Sequence, residues 1–146
     1  MTLRRKAREH ALQLLYQWEL TGNSPAAIEE SFWHTARAAP QTRAFAHQLF
    51  TGAVTAAPEL DKLIAQHSKN WRFDRLAAID RNILRLGAYE LRFATAPAKV
   101  VMDEAVELAK SFSDSGGPAF VNGILDAIEK ELTGGAKSAR KEGGGK

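Results

Sequence analysis

Apolar positions recur every three or four residues along almost the whole chain, and no stretch of five or more alternates with period two. Leu3, Ala7, Ala11, Leu14 and Trp18 form one helical stripe. Ile28, Phe32 and Trp33 define a second, opened by Asn23-Ser24-Pro25, a cap followed by a proline. Phe45, Leu49 and Val54 fall on a third helix, and Leu60, Leu63, Ile64 and His67 on a short fourth begun at Pro58. The longest run, Asp74 to about Ala94, places Leu76, Ile79, Ile83, Leu86 and Gly87 on one face and stops before Pro97. Val101, Ala105, Leu108, Ala109 and Phe112 mark a sixth helix. Pro118 sits near the first turn of a seventh, which carries Val121, Ile124, Leu125, Ile128 and Leu132, with Gly123 expected at a close helix contact. Spacers of about three to eight residues suit antiparallel neighbours in a bundle. The pattern predicts an all-α fold of about seven helices. One domain covers residues 1–133, and a basic tail with nothing to bury, 134–146, is expected to be disordered.

Composition changes this picture little. The 146 residues, 45% hydrophobic and 25% charged, suffice for one core. The absence of cysteine excludes disulfides, thiolate metal sites and cysteine nucleophiles. No apolar run reaches the length of a membrane span, and the polar, basic start is unlike a signal peptide, so a cytoplasmic protein is expected.

Charge is more informative. Arg4, Arg5, Lys6 and Arg8 against Glu9 make residues 1–10 three positive. Lys137, Arg140, Lys141 and Lys146 against Glu142 do the same for 137–146. With a net charge of +3 overall, residues 11–136 are therefore three negative. The positive charge is local, at the two ends of a mildly acidic body.

Enzyme chemistry finds no support. His10, His34, His47 and His67 lie on four different predicted helices without ligand-pair spacing, so no metal site is expected. There is no phosphate-binding glycine loop, dinucleotide fingerprint or nucleophile elbow, hence no catalytic residue and no cofactor. Glu90 falls on the wheel between Ile83 and Leu86, inside an apolar stripe. It is either a tuned acid or, the preferred reading, a carboxylate satisfied by its surroundings. Asp103, Glu104 and Glu107 lie in or near the opening turns of the sixth helix, where the dipole favours them.

The first helix poses the sharper problem, because Arg4, Arg5, Lys6 and Arg8 crowd the positive end of its dipole. Arg4, Arg5 and Arg8 share a sector about 100° wide beside the apolar stripe, continued by Leu12 and Tyr16, while Lys6 points elsewhere. Guanidinium groups bind phosphate bidentately and stack on bases, and a phenol ring adds a stacking plane. Bound phosphate would turn an unfavourable arrangement into a favourable one. The bland alternative is a solvated basic terminus. About four neutralised phosphates give a salt slope near −2.8, a roughly fifty-fold loss of affinity between about 50 and 200 mM salt. Base contacts or a second protein would be needed.

Four strings, RRKAREHALQLLYQWE (4–19), LDKLIAQHSKNWRFDRLAAIDRNILRLGAYEL (60–91), VVMDEAVELAKSF (100–112) and FVNGILD (120–126), together resemble the NusB family of bacterial transcription antitermination factors. The resemblance runs from residue 4 to about 132. It implies two small helical subdomains, about 1–57 and 58–133, and a role without catalysis. It further implies pairing with the ribosomal protein NusE, binding of boxA RNA by the pair, and assembly with NusA, NusG and RNA polymerase in support of ribosomal RNA transcription. The family's arginine-rich motif falls on Arg4, Arg5, Lys6 and Arg8, and its first-helix aromatic on Tyr16. Phe112 and Phe120 match aromatics near the RNA, with core packing as the alternative. Asp80 occupies an acidic position of the partner surface, where it meets a basic NusE or pairs with a neighbouring arginine.

The chain departs from the family pattern in two places. Loop 113–119 lacks a cation, and the basic tail lies outside the family signature. Oligomeric state stays open, a homodimer covering the RNA edge being one form. Two rival functions remain. One is a helical adaptor that binds protein and never RNA. The other is a detached amino-terminal module of a ribosomal RNA cytosine methyltransferase, which would need a Rossmann-like domain and catalytic cysteines.

Overall fold

The computed structural model describes residues 2–68 and 73–144, with side chains through Gly134. Seven α-helices and no strand occur among them: α1 (Leu3–Thr21), α2 (Pro25–Thr35), α3 (Pro40–Thr55), α4 (Ala57–His67), α5 (Ala78–Phe93), α6 (Ala98–Phe112) and α7 (Gly117–Gly144). A single 3-10 turn, Phe73–Arg75, precedes α5. None of these helices is long and apolar enough to cross a membrane.

Local chemistry sets most boundaries. Thr2 caps α1 by accepting the Arg5 amide at 3.1 Å. Gly22, at φ +72°, closes it in the left-handed conformation that glycine adopts freely. Ser24 accepts the Ala27 amide at 3.2 Å with Pro25 next, as the sequence signal predicts. Helix α5 begins at Ala78 rather than near Asp74. The Arg81 guanidinium takes the Phe73 and Leu76 carbonyls, at 3.2 and 2.8 Å, and so claims acceptors that an earlier helical start would have used.

Helix α5 is the hub. It packs on α1, α3, α4, α6 and α7, and every residue from Asn82 to Ala88 is buried, as for a helix covered on all sides. One continuous apolar cluster includes Leu12 and Leu15 of α1, Phe50 of α3, Ile83 and Leu84 of α5 and Leu125 and Ile128 of α7. Close approach depends on two glycines. A Cβ at Gly87 would stand 2.7 Å from Leu125 Cδ1, and one at Gly52 would stand 2.3 Å from the Tyr89 ring. Gly123, expected at such a contact, is exposed with open space around it. Val121, Ile124, Leu125 and Ile128 turn inward, leaving Gly123 on the outer face of α7.

The backbone of α7 is helical through Gly144, and the basic segment 134–146 lies, apart from Gly134, outside the residues whose side chains are described.

Two predictions follow from packing. Gly87→Val forces the fully buried Leu125 to move and should cost about 1–3 kcal/mol in denaturant unfolding, whereas Gly123→Ala on the open face should gain about 0.5–1 kcal/mol. The second concerns His10, wedged between Phe32 and Trp33 with ring centroids 5.5 and 5.3 Å away and neither nitrogen hydrogen-bonded. Burial, reinforced by Lys6, lowers its pKa from the ordinary 6.5. Below about that pH the unfolded chain binds a proton that the folded protein resists, so the His10 contribution is complete above 6.5 and declines as pH falls. His10→Phe should flatten this part of the stability–pH curve between about pH 7 and 5.

Candidate nucleic-acid interface

The amino-terminal turns of α1 rest against the carboxyl end of α5 and the first half of α6, and this contact divides the four cations. Arg8 is interior. Its Nε and Nη2 donate to the two oxygens of Glu90, both at 2.8 Å, and the side chains are only 4% and 2% exposed. Burial opposes the charge on Arg8, but the Glu90 hydrogen bonds and charge outweigh it and raise its pKa. Arg8 is therefore unavailable to a nucleic-acid phosphate. Leu12, next along the same sector, is also buried. The correction has a simple cause: α5 covers this side of α1, so its interior face is broader than the apolar stripe.

Arg5 is intermediate. Its Nε and Nη2 donate to Glu104 of α6 at 3.0 and 2.8 Å, with 41% of the side chain exposed. The Arg5 hydrogen bonds hold the Glu104 carboxyl below the usual range against the opposing effect of partial burial. Glu104 stands two turns into α6, too far for the helix dipole to matter. Lys6 is 48% exposed and makes a loose i,i+3 contact with Glu9 at 3.8 Å. Arg4 is exposed and lays its guanidinium on the Phe45 ring, 4.6 Å from the centroid. Two of the four cations thus remain open to an anion, one is half-committed, and one is closed.

The opposite end of the α1–α5 contact carries the reverse polarity. Glu19 accepts from both Arg81 and Arg85, and Arg85 also donates to Asp61 of α4 at 2.7 and 2.9 Å. Burial resists the Glu19 charge, yet the two arginines hold its pKa low. Glu90 is thus the satisfied structural carboxylate preferred from sequence.

The remaining candidates are dispersed. Tyr16 is half-buried on α1, and Phe112 is exposed at the end of α6. Phe120 packs partly against the core and lines a hollow of about 350 Å³ with Asp80, Asp114 and Gly117. Asp80 is nearly buried, not an outward-facing acid, and accepts the Ser113 hydroxyl at 2.5 Å. It thereby ties the 113–116 loop, between Phe112 and Phe120, to α5. Arg5 shares a separate groove of about 610 Å³ with Glu104, Lys110, Pro118 and Asn122. Glu104, Lys110 and Asn122 carried no sequence signal for this role, because Arg5 and Glu104 are 99 residues apart. Among the described residues, no group of three or more His, Asp or Glu side chains is placed to hold a metal ion.

Buried carboxylates matched to arginines and a basic helix end half-open to anions define an all-helical protein with a local cationic surface. Comparison with known proteins gives the family. The NusB family model matches residues 5–130. The transcription antitermination protein NusB of Myxococcus xanthus is 45% identical over 137 residues, spanning 90% of this chain and 98% of that protein. T. maritima NusB is structurally similar, with TM-score 0.80, 33% identity and coverage of 88% and 91% of the two chains. A chain in the crystal structure of antitermination factors NusB and NusE in complex with dsRNA gives TM-score 0.81 and 33% identity, covering 90% and 98%. The chain belongs to the NusB family, whose members are non-catalytic antitermination factors.

The buried pair yields a stability test. Glu90→Ala leaves Arg8 charged and unpartnered and should cost about 3–5 kcal/mol in denaturant unfolding, while the double change Arg8→Met/Glu90→Leu should recover most of it. A single variant as stable as the parent would show that the pair is not buried as described.

Proposed function

We propose that this protein is a cytoplasmic antitermination factor that binds boxA-like single-stranded RNA together with NusE, and joins NusA, NusG and RNA polymerase during ribosomal RNA transcription. The observation that carries the RNA reading is the exposure of Arg4 and Lys6, with Arg5 partly so, at the positive end of the α1 dipole, where cations and backbone amides attract the same anion. The structurally similar NusB–NusE–dsRNA complex supports both partners.

Arg8 has a different role from the one its motif position implies: through Glu90 it seats α1 and so orients its neighbours. Phosphate binding then rests on about three cations rather than four. The salt slope is near −2.1, and raising salt from about 50 to 200 mM costs roughly twenty-fold in affinity. Glu104 holds Arg5 Nε and Nη2, and among the described residues nothing holds Nη1. Glu104 thus orients the fork toward the groove and also partly neutralises it. Tyr16, Phe112 and Phe120 add stacking planes, and Asp80 sets the loop between the last two.

A protein-only adaptor gains from the carboxylates already held by Arg5 and Arg8, and charge reversal separates the two readings. RNA affinity of the complex with NusE, measured across salt, should fall for Arg4→Glu/Lys6→Glu with a flatter slope, and should survive in Arg8→Met/Glu90→Leu. Glu104→Gln should bind RNA more tightly with a steeper slope, because Arg5 is released to phosphate. RNA binding indifferent to both Arg4→Glu/Lys6→Glu and salt would leave the adaptor as the function.

A further inference from the structure

A second hollow, of about 310 Å³, opens on the other side of Arg4, between α3, the carboxyl end of α5 and the α5–α6 connection. Phe45, Tyr89 and Phe93 supply its rings, and Gln48 and Thr95 its polar groups. Phe93 is 49% exposed, a high value for an aromatic side chain. Its ring lies 5.5 Å from that of Tyr89, tilted by 35°. The Arg92 guanidinium stacks on it at 5.3 Å while pairing with Glu59. The carboxylate that borders this hollow, Glu90, is already held by Arg8.

We infer that this hollow seats one unstacked nucleobase of a single-stranded RNA whose adjoining phosphate lies on Arg4. The chemistry matches the two halves of a nucleotide. Among the described residues Arg4 makes no side-chain hydrogen bond or ion pair, and it offers a guanidinium fork at the rim. Phe45 is already covered by the Arg4 guanidinium, and the Tyr89 and Phe93 rings offer the stacking that single-stranded nucleic acid uses irrespective of sequence. Gln48 and Thr95 line the same hollow and provide donors and acceptors for a base edge. A bare apolar side chain of a protein partner would leave the unpaired Arg4 without a counterion. The site is continuous with the amino-terminal cations through Arg4 itself, so this inference rests on the RNA reading above and extends it to the α3–α5 face.

Stacking and phosphate contacts leave different signatures in salt, which makes the test selective. The probe is a boxA-type single-stranded RNA bound to the protein with NusE present, titrated at several salt concentrations. Phe93→Ala should weaken binding about ten-fold at every concentration without changing the slope, and Phe93→Trp should restore it. Arg4→Ala should instead flatten the slope by about 0.7. With 4-thiouridine throughout the RNA, photo-crosslinks should map to Phe93 or Tyr89. Melting temperature checks that each variant is folded. If Phe93→Ala binds within two-fold of the parent while Arg4→Ala/Lys6→Ala is weakened, the base seat is wrong and RNA binding stands. If neither variant alters RNA binding, both fall. If Phe93→Ala weakens NusE binding in the absence of RNA, the hollow is a protein contact and the inference is overturned.

Discussion

Helix α5 can be buried on every side only because the charges it carries are met by charges of the right sign, and the contact with α1 shows how. Toward one end Glu90 receives Arg8, and toward the other Arg81 and Arg85 receive Glu19. The two helices run antiparallel with their polarities reversed, so each end of the contact is a cation on one helix against an anion on the other. Sliding α1 along α5, or inverting it, would oppose like charges in a low-dielectric interior, at a cost of several kcal/mol. The apolar residues that the two helices give to the core, among them Leu12, Leu15, Ile83 and Leu86, carry no charge with which to set that register. Buried ion pairs add little to net stability, because desolvation offsets their attraction. What this pair of pairs supplies is selection of one arrangement among many.

That arrangement explains the crowded cations of the first helix. A cation at a helix amino terminus is unfavourable by up to about 1 kcal/mol when exposed. For Arg8 the compensating anion is Glu90, and for Arg5 it is largely Glu104. Among the described residues Arg4 and Lys6 lack so close a carboxylate, Lys6 meeting Glu9 only loosely. The motif therefore divides into an inner residue that seats the helix, a middle one shared between protein and groove, and outer ones facing solvent. A short sequence string can be both structural and recognition-bearing, with the boundary passing between neighbouring arginines.

The same division of labour holds at the carboxyl end of α6. Asp80, on the first turn of α5, takes the Ser113 hydroxyl, and Gly117 permits this closeness because a Cβ there would meet Ser113 at 2.0 Å. The loop lacking a cation is thus pinned by hydrogen bonding and glycine, and Phe112 and Phe120 depart from its two ends.

Periodicity alone determined the all-helical class, the number of helices, most of their starts and part of the core, because burial of an apolar face is a local, repeating property of sequence, whereas Leu12, Leu15, Phe50 and Leu84 lay outside the predicted stripes and are buried, and Phe112 lay on one and is exposed. Local rules also located the basic helix end and the buried glutamate. They erred where a residue's environment is built by distant chain. Arg8 looks like Arg4 on a helical wheel, and only the approach of α5, 82 residues away, makes one interior and leaves the other exposed. Gly87 and Gly123 look alike as helical glycines, yet Leu125 crowds one and solvent surrounds the other. Asp80 reads as a surface acid until Ser113 is folded onto it. Which polar groups are already satisfied, and so which are left for a partner, is a pairwise property of the folded chain, and tertiary structure alone decides it.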